Sequence, residues 1–212
     1  MTPKLTHPRL AFDSRRDILY VVAGQPEELH ALDVCTGEAK RVGPITIAGA
    51  ALDFIGDVAY EPRSDLLLLS GSVDGDRWRA ETLLSLEPVS ARASVLSTVG
   101  PTEHGGDLDI LETYAGELIG VDVVPGSSHA YTVSLDTGAT VSVGRSEEYI
   151  ARLAIHPGTG ATYGTNFNTG QLYRVERSPY GGVALGPASG LVHTSLAFAR
   201  VRCDESKKLG RL

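Results

Sequence analysis

RLAFDSRRDILYVVAGQPEELHALDVCTGEAKRVGP, residues 9–44, decides the fold. It contains four short apolar runs: Arg9 to Asp13, Ile18 to Val22, a third that closes on Leu32-Asp33, and a fourth that closes on Val42-Gly43. Each run is strand-sized and is followed by Gly, Pro, Asp, Ser or Thr, residues that turn the chain. The first run has the form polar, aliphatic, small, large apolar, polar. That form returns as Asp57-Val58-Ala59-Tyr60-Glu61, Arg152-Leu153-Ala154-Ile155-His156 and Ser195-Leu196-Ala197-Phe198-Ala199, with a looser copy at Asp107-Leu108-Asp109-Ile110-Leu111. The repeats start at 9, 57, 107, 152 and 195, so the steps are 48, 50, 45 and 43.

The interior of each repeat keeps the same order. Second runs fall at Leu66 to Leu69, Leu118 to Val121 and Thr162-Tyr163. Third runs close on Leu86-Glu87, Leu135-Asp136 and Val175-Glu176, and fourth runs on Val99-Gly100, Val143-Gly144 and Leu185-Gly186. Pro44, Pro101 and Pro187 follow three of the four closing pairs, and a proline there ends strand pairing. A period of roughly 40–50 residues with four strands per period is that of a propeller blade. One blade cannot bury both of its faces, and radial stacking solves this. The reading is therefore an all-β propeller with four four-stranded blades plus one extra inner strand. The alternative is a β-sandwich, which also uses short, evenly spaced strands but does not require one four-part pattern to return four times. A helix is conceivable only near Glu147 to Leu153, whose end the repeat assigns to a strand.

Composition agrees. The 212 residues include 24 Gly and 11 Pro, 42% are apolar and 21% charged, which is the profile of a folded, turn-rich globule. With 19 basic against 26 acidic residues the net charge is −7, which argues against a sequence-independent grip on nucleic acid. No apolar run approaches the length of a membrane helix, and residues 1–10 hold no signal-peptide core. With Met1 as the natural start, the expected location is cytoplasmic. Cys35 and Cys203 carry no metal-ligand spacing and cannot make a disulfide framework, so both are read as ordinary thiols.

Leu10-Ala11-Phe12-Asp13, Ile18-Leu19-Tyr20-Val21, Leu29-His30-Ala31-Leu32-Asp33, Thr36-Gly37 and Gln171-Leu172-Tyr173-Arg174-Val175 resemble the repeats of bacterial β-propellers of the NHL, YVTN and related uncharacterised families, "LAFDP…LYV…LYxLDxxTGxxxxVG". The resemblance covers residues 9–202, leaving 1–8 as an N-terminal extension and 203–212 as a tail. Those families include scaffolds, ligand binders and some enzymes, usually with six or seven blades. Four repeats and a strand leave three routes to closure: the last strand joins the first repeat, another subunit completes an open arc, or the parent chain is longer. Open strand edges would favour a homo-oligomer.

The resemblance also implies that the segments entering the inner strands lie on the face where ligands bind. His7, Arg9, Asp57, His104, Asp107, Asp109, Arg152 and His193 are accordingly the candidate ligand contacts. Arg9 and Arg152 against Asp57 and Asp107 would equally form a neutralising ring. Asp109 stands where the other repeats have alanine, so it needs a partner such as Arg152, or the third repeat is irregular. The expected function is a non-catalytic binding or interaction module for a protein or small molecule, with no cofactor and neither nucleic acid nor membrane as partner. The alternative is a hydrolase or lyase with one axial divalent cation, in which Glu103, His104 and Asp109 would be tested first. Asp74-Gly75-Asp76 lacks the spacing of a calcium loop and reads as a hairpin turn. Trp78 between Arg77 and Arg79 is either a partner anchor or the cover of a blade edge, and Asn166-Phe167-Asn168-Thr169-Gly170 reads as a turn. No nucleophile elbow, HExxH, Walker or dinucleotide motif is present.

Overall fold

Each of the four repeats becomes one antiparallel sheet. In the computed structural model, residues 8–52, 54–73, 81–100, 102, 110–114, 117–124, 126–166, 168–190, 195–198 and 203 are described. Blade 1 is β1 (Arg9–Asp13), β2 (Ile18–Ala23), β3 (Glu28–Asp33) and β4 (Ala39–Pro44), paired in chain order. Two short strands follow, β5 (Thr46–Ile47) and β6 (Ala50–Ala51). Blade 2 then has β7 (Ile55–Glu61), β8 (Leu66–Gly71), β9 (Thr82–Leu86) and β10 (Arg92–Thr98). Blade 3 is β11 (Ile110–Tyr114), β12 (Glu117–Val124), β13 (Ser127–Val133) and β14 (Thr140–Ser146). Blade 4 is β15 (Arg152–Ile155), β16 (Thr162–Thr165), β17 (Leu172–Arg177) and β18 (Tyr180–Ala184). The fold is an all-β, four-bladed propeller, and among the described residues there is no helix. Glu147 and Glu148 form a bend before β15.

Side chains alternate across each sheet, so an inner blade must be apolar on both faces. The Leu66 to Leu69 run meets this need. Leu67 and Leu69 pack toward blade 1 with Ala11, Tyr20, Val22 and Leu29. Leu68, between them, packs with Leu118, Tyr131 and Val133 of blade 3. Blade 3 repeats the logic, since Ile119, Val121 and Ala130 join Ile150, Leu153, Ile155 and Val175 of blade 4. Each fully buried Leu or Ile contributes roughly 1.5–3 kcal/mol. The inner strands meet in succession, β1 with β7, β7 with β11 and β11 with β15.

Blade 4 meets blade 1 differently. Residues 195–198, expected as a fifth inner strand, join no ladder but lie at this junction. The Leu10 amide donates to Ser195 Oγ at 3.0 Å, and the Phe198 ring lies 5.0 Å from that of Tyr163 and 5.4 Å from His156. Cys203 is disulfide-bonded to Cys35 in the turn between β3 and β4. The reading of both cysteines as thiols is thus corrected: a separation of 168 residues carried no pairing signal, but the fold sets their Cα atoms 5.2 Å apart. Of the three routes to closure, the described contacts are those of the end of the chain joining the first repeat.

Two further expectations change. Blade 2 has six strands, because residues 45–52 fold back and β5 pairs in parallel with β10 at Arg92↔Thr46 and Ala93↔Ile47. This covers an outer edge that would otherwise invite pairing with another chain. The third repeat is displaced: Tyr114 pairs with Glu117 as Asp13 pairs with Ile18, so the inner strand is Ile110–Tyr114 rather than 107–111. Ala11 therefore corresponds to Glu112, not Asp109. The third closing pair shifts too, because the Ser134 amide bonds Ala139 as Asp33 bonds Glu38, which makes it Val133-Ser134 rather than Leu135-Asp136.

Candidate functional site

In blades 1, 2 and 4 the polar residue at the end of the inner strand builds the turn that follows it. Asp13 Oδ1 accepts the amides of Arg15 and Arg16 at 2.8 and 3.3 Å, Glu61 Oε2 accepts that of Ser64 at 2.7 Å, and His156 Nδ1 accepts those of Gly158 and Thr159, both at 3.2 Å. Burial by itself would raise the Glu61 carboxyl. The amides of Ser64 and Arg63 and the Ser64 hydroxyl outweigh it and hold Glu61 below its ordinary value. Arg16 then bridges blades 1 and 2, bonding Asp13 Oδ2 and Asp65 Oδ1 at 2.6 Å each. Tyr60 also donates to Asp65, at 2.7 Å. Arg16 first, then Tyr60, hold the Asp65 carboxyl well below the carboxylate range.

At the opposite ends of the inner strands lie three of the expected ligand contacts, Arg9, Asp57 and Arg152. Arg9 is 9% exposed and Glu27 3%. The Arg9 guanidinium donates to Glu27 Oε1 at 2.8 Å and to the Gly56 carbonyl of blade 2 at 3.2 Å, with Phe54 beside it at 6.0 Å. Burial pushes the Glu27 carboxyl up, against the lowering influence of Arg9. The buried Asp57 accepts the Val58 amide at 2.9 Å, and its own amide donates to Ser70 Oγ. Arg152 opens β15, half-buried and opposite Thr165. Of the ring expected from Arg9 and Arg152 against Asp57 and Asp107, Arg9 takes Glu27 of its own blade, and Asp107 lies outside the described residues. His7, His104, Asp107, Asp109 and His193 lie outside the described residues, as do Glu103, Phe167 and residues 74–80. Among the described residues no group of three or more His, Cys, Asp or Glu is placed to hold a metal ion.

The concavity lies on the axis and is apolar. A cavity of about 390 Å³ is lined by Leu10, Ala11, Phe12 and Ser14 of blade 1 and by Ala59, Tyr60 and Pro62 of blade 2. Thr113 of blade 3, Ile155 and Pro157 of blade 4, and Ala197 and Phe198 complete the wall. The repeat itself makes this space: the small third position and the large fourth position supply Ala11-Phe12, Ala59-Tyr60 and Ala197-Phe198. Apart from Leu10 and the C-terminal Ala197 and Phe198, the lining residues belong to the middle and later parts of the inner strands and to the turns beyond. None is charged. The Thr113 hydroxyl donates to the Tyr60 carbonyl at 2.5 Å, which ties two blades together at the wall. None of the candidate contacts expected from the sequence is among its described lining residues; the Ala-aromatic pairs recur in the repeats, but the space they leave exists only once the strands come together.

This is a four-bladed β-propeller with an apolar axial chamber, and solved propeller structures resemble it. A chain of the nidogen/laminin complex matches with a TM-score of 0.58 and 12% identity over 81% of this chain and 61% of that one. An auxiliary nutrient-binding protein of Bacteroides thetaiotaomicron matches with a TM-score of 0.55 and 14% identity, over 87% of this chain and 43% of that one. The present chain thus spans less than two thirds of either. No known protein family matches the sequence, and no curated protein does.

Proposed function

We propose that this propeller is a non-catalytic binding module that takes a ligand on its axis. The observation that carries this reading is the cavity, to which all four blades contribute and which, among the described residues, no acid, base or charged side chain lines. Such a concavity, largely apolar with a few hydroxyls, has the form of small-molecule sites, which run roughly 300–1,000 Å³. The structural neighbours support a binding role, one by its presence in a protein complex and the other by its nutrient-binding description. The rigid ring of blades would present the site with little rearrangement. Membership of the NHL or YVTN group, and a bacterial source, remain part of this proposal on the strength of the repeat. For location we infer an oxidising compartment in place of the cytoplasm, because the Cys35–Cys203 bond is of a kind that cytosolic thiols keep reduced.

A thermal-shift screen against a chemically diverse small-molecule set tests the binding role. Compounds that raise Tm in the wild type are expected to lose that effect in Ala197→Trp, whose indole would fill the cavity. Hits that persist equally in Ala197→Trp, or no hits at all, would remove the axial site as the seat of function.

A further inference from the structure

The geometry points to an uncharged aromatic molecule of one or two fused rings as the ligand class of the axial cavity. This rests on the reading of the axis as a ligand site and narrows what it accepts. Three aromatic residues, Phe12, Tyr60 and Phe198, are among its lining, from blade 1, blade 2 and the C-terminal segment. A wall that includes aromatic residues rewards an aromatic guest with contacts beyond area burial that an alkyl chain does not gain. The volume of about 390 Å³ is near the lower end for small-molecule sites, suited to a compact ring system rather than to a long acyl chain.

The described wall offers no counter-charge: no Lys, Arg, Asp, Glu or His is among the described residues that line it. The Asp13-Arg16-Asp65 group at the turns is closed on itself, with Arg16 bonded to both carboxylates. A carboxylate, phosphate or ammonium on the guest would lose its hydration without meeting a counter-charge on the wall. Two of the three hydroxyls on the wall already give their protons to protein oxygens, Tyr60 to Asp65 and Thr113 to the Tyr60 carbonyl. A polar handle on the ligand is therefore best served as a donor, such as a ring N–H or a phenol.

Phe198 makes the selectivity depend on the segment beyond the fourth blade. Its ring is set by Tyr163 and His156 of blade 4, and the segment is anchored by Ser195 at Leu10 and by the disulfide at Cys35. The fifth partial repeat thus supplies a wall of the chamber.

Two probes sharing one skeleton test this on the intact chain: neutral N-phenyl-1-naphthylamine and its sulfonated relative 8-anilinonaphthalene-1-sulfonate. The neutral probe should bind saturably at one site with blue-shifted emission, and the sulfonate at least about tenfold more weakly. Phe198→Ala should weaken the neutral probe by about tenfold while Phe198→Trp largely retains it. Should Phe198→Ala fail to fold, Ala197→Trp provides the same reading by occlusion. Equal or tighter binding of the sulfonate, or binding indifferent to both positions, would overturn the ligand class. Failure of the class and failure of the site separate cleanly: Ala197-sensitive thermal shifts produced only by charged compounds refute the neutral aromatic ligand and keep the axial site, and absence of any such shift removes both.

Discussion

Arg9 carries a buried ion pair whose worth can be measured. It occupies the first position of the first inner strand, yet its guanidinium is spent on Glu27 and the Gly56 carbonyl. Breaking a buried ion pair from one side leaves the other charge without compensation, so Arg9→Ala should cost about 3–5 kcal/mol near neutral pH. Glu27 gives this cost a pH signature. Its carboxyl is already raised in the folded protein by burial, and loss of Arg9 removes the influence that opposes the rise. A carboxyl raised on folding penalises the native state increasingly as pH climbs from its unfolded value to its folded one. The deficit of Arg9→Ala, measured by urea unfolding, should therefore be greater at pH 7 than at about pH 4, where Glu27 is largely protonated in either state. The double variant Arg9→Met/Glu27→Leu, which removes both charges, should recover most of the loss. A pH-independent deficit would mean that packing, not the stranded carboxylate, is responsible.

At the scale of the elements, turns that look alike in sequence differ in what they touch. Cys35-Thr36-Gly37 and Asp136-Thr137-Gly138 have the same form, and their glycines have φ of +73° and +70°. The Gly37 amide donates to Asp33 and the Gly138 amide to Ser134. A Cβ at Gly37 would meet nothing within 4 Å, whereas one at Gly138 would lie 2.0 Å from the Thr98 carbonyl oxygen of blade 2. Gly37→Ala should thus cost only the left-handed conformation, about 1–2 kcal/mol. Gly138→Ala must also push blades 2 and 3 apart, and its denaturant midpoint should fall well below that of Gly37→Ala; equal midpoints would show that the turn yields without strain. Such differences mark the limit of what the sequence reveals. The blades were legible because alternation and turn residues are local signals, whereas the Leu66 to Leu69 run, read only as strand-sized, proves to be buried on both faces. The third repeat was misaligned by three positions because Thr113 replaces the aromatic and a two-residue turn replaces the longer one. The β5–β6 hairpin was invisible because strands of two residues have no period. The cavity went unread because an apolar chamber depends on four distant strands leaving space together, which no single repeat displays.

For the whole molecule, closure is the decisive property, and at the junction of blade 4 with blade 1 a disulfide stands beside the described packing. Apolar clusters of the described residues join blade 1 to 2, 2 to 3 and 3 to 4, while the junction of blade 4 with blade 1 contains residues 195–198 and the disulfide that follows. Cross-linking residues 168 apart withdraws a large loop from the unfolded ensemble. Loss of a native disulfide costs about 2–5 kcal/mol. Reduction by dithiothreitol should accordingly lower the urea midpoint of the wild type by that order. Cys35→Ser/Cys203→Ser should begin at the lower midpoint and ignore the reductant. Because Ala197 and Phe198 wall the axial cavity and Cys203 follows them by five residues in the chain, the open form should also bind the neutral aromatic probe more weakly, even at urea concentrations where circular dichroism still reports intact sheets. Stability and binding then fall together from one covalent change. If reduction lowers the midpoint but leaves probe affinity intact, the disulfide holds the chain end without shaping the site. If neither changes, Ser195 and the Phe198 contacts suffice to close the ring unaided.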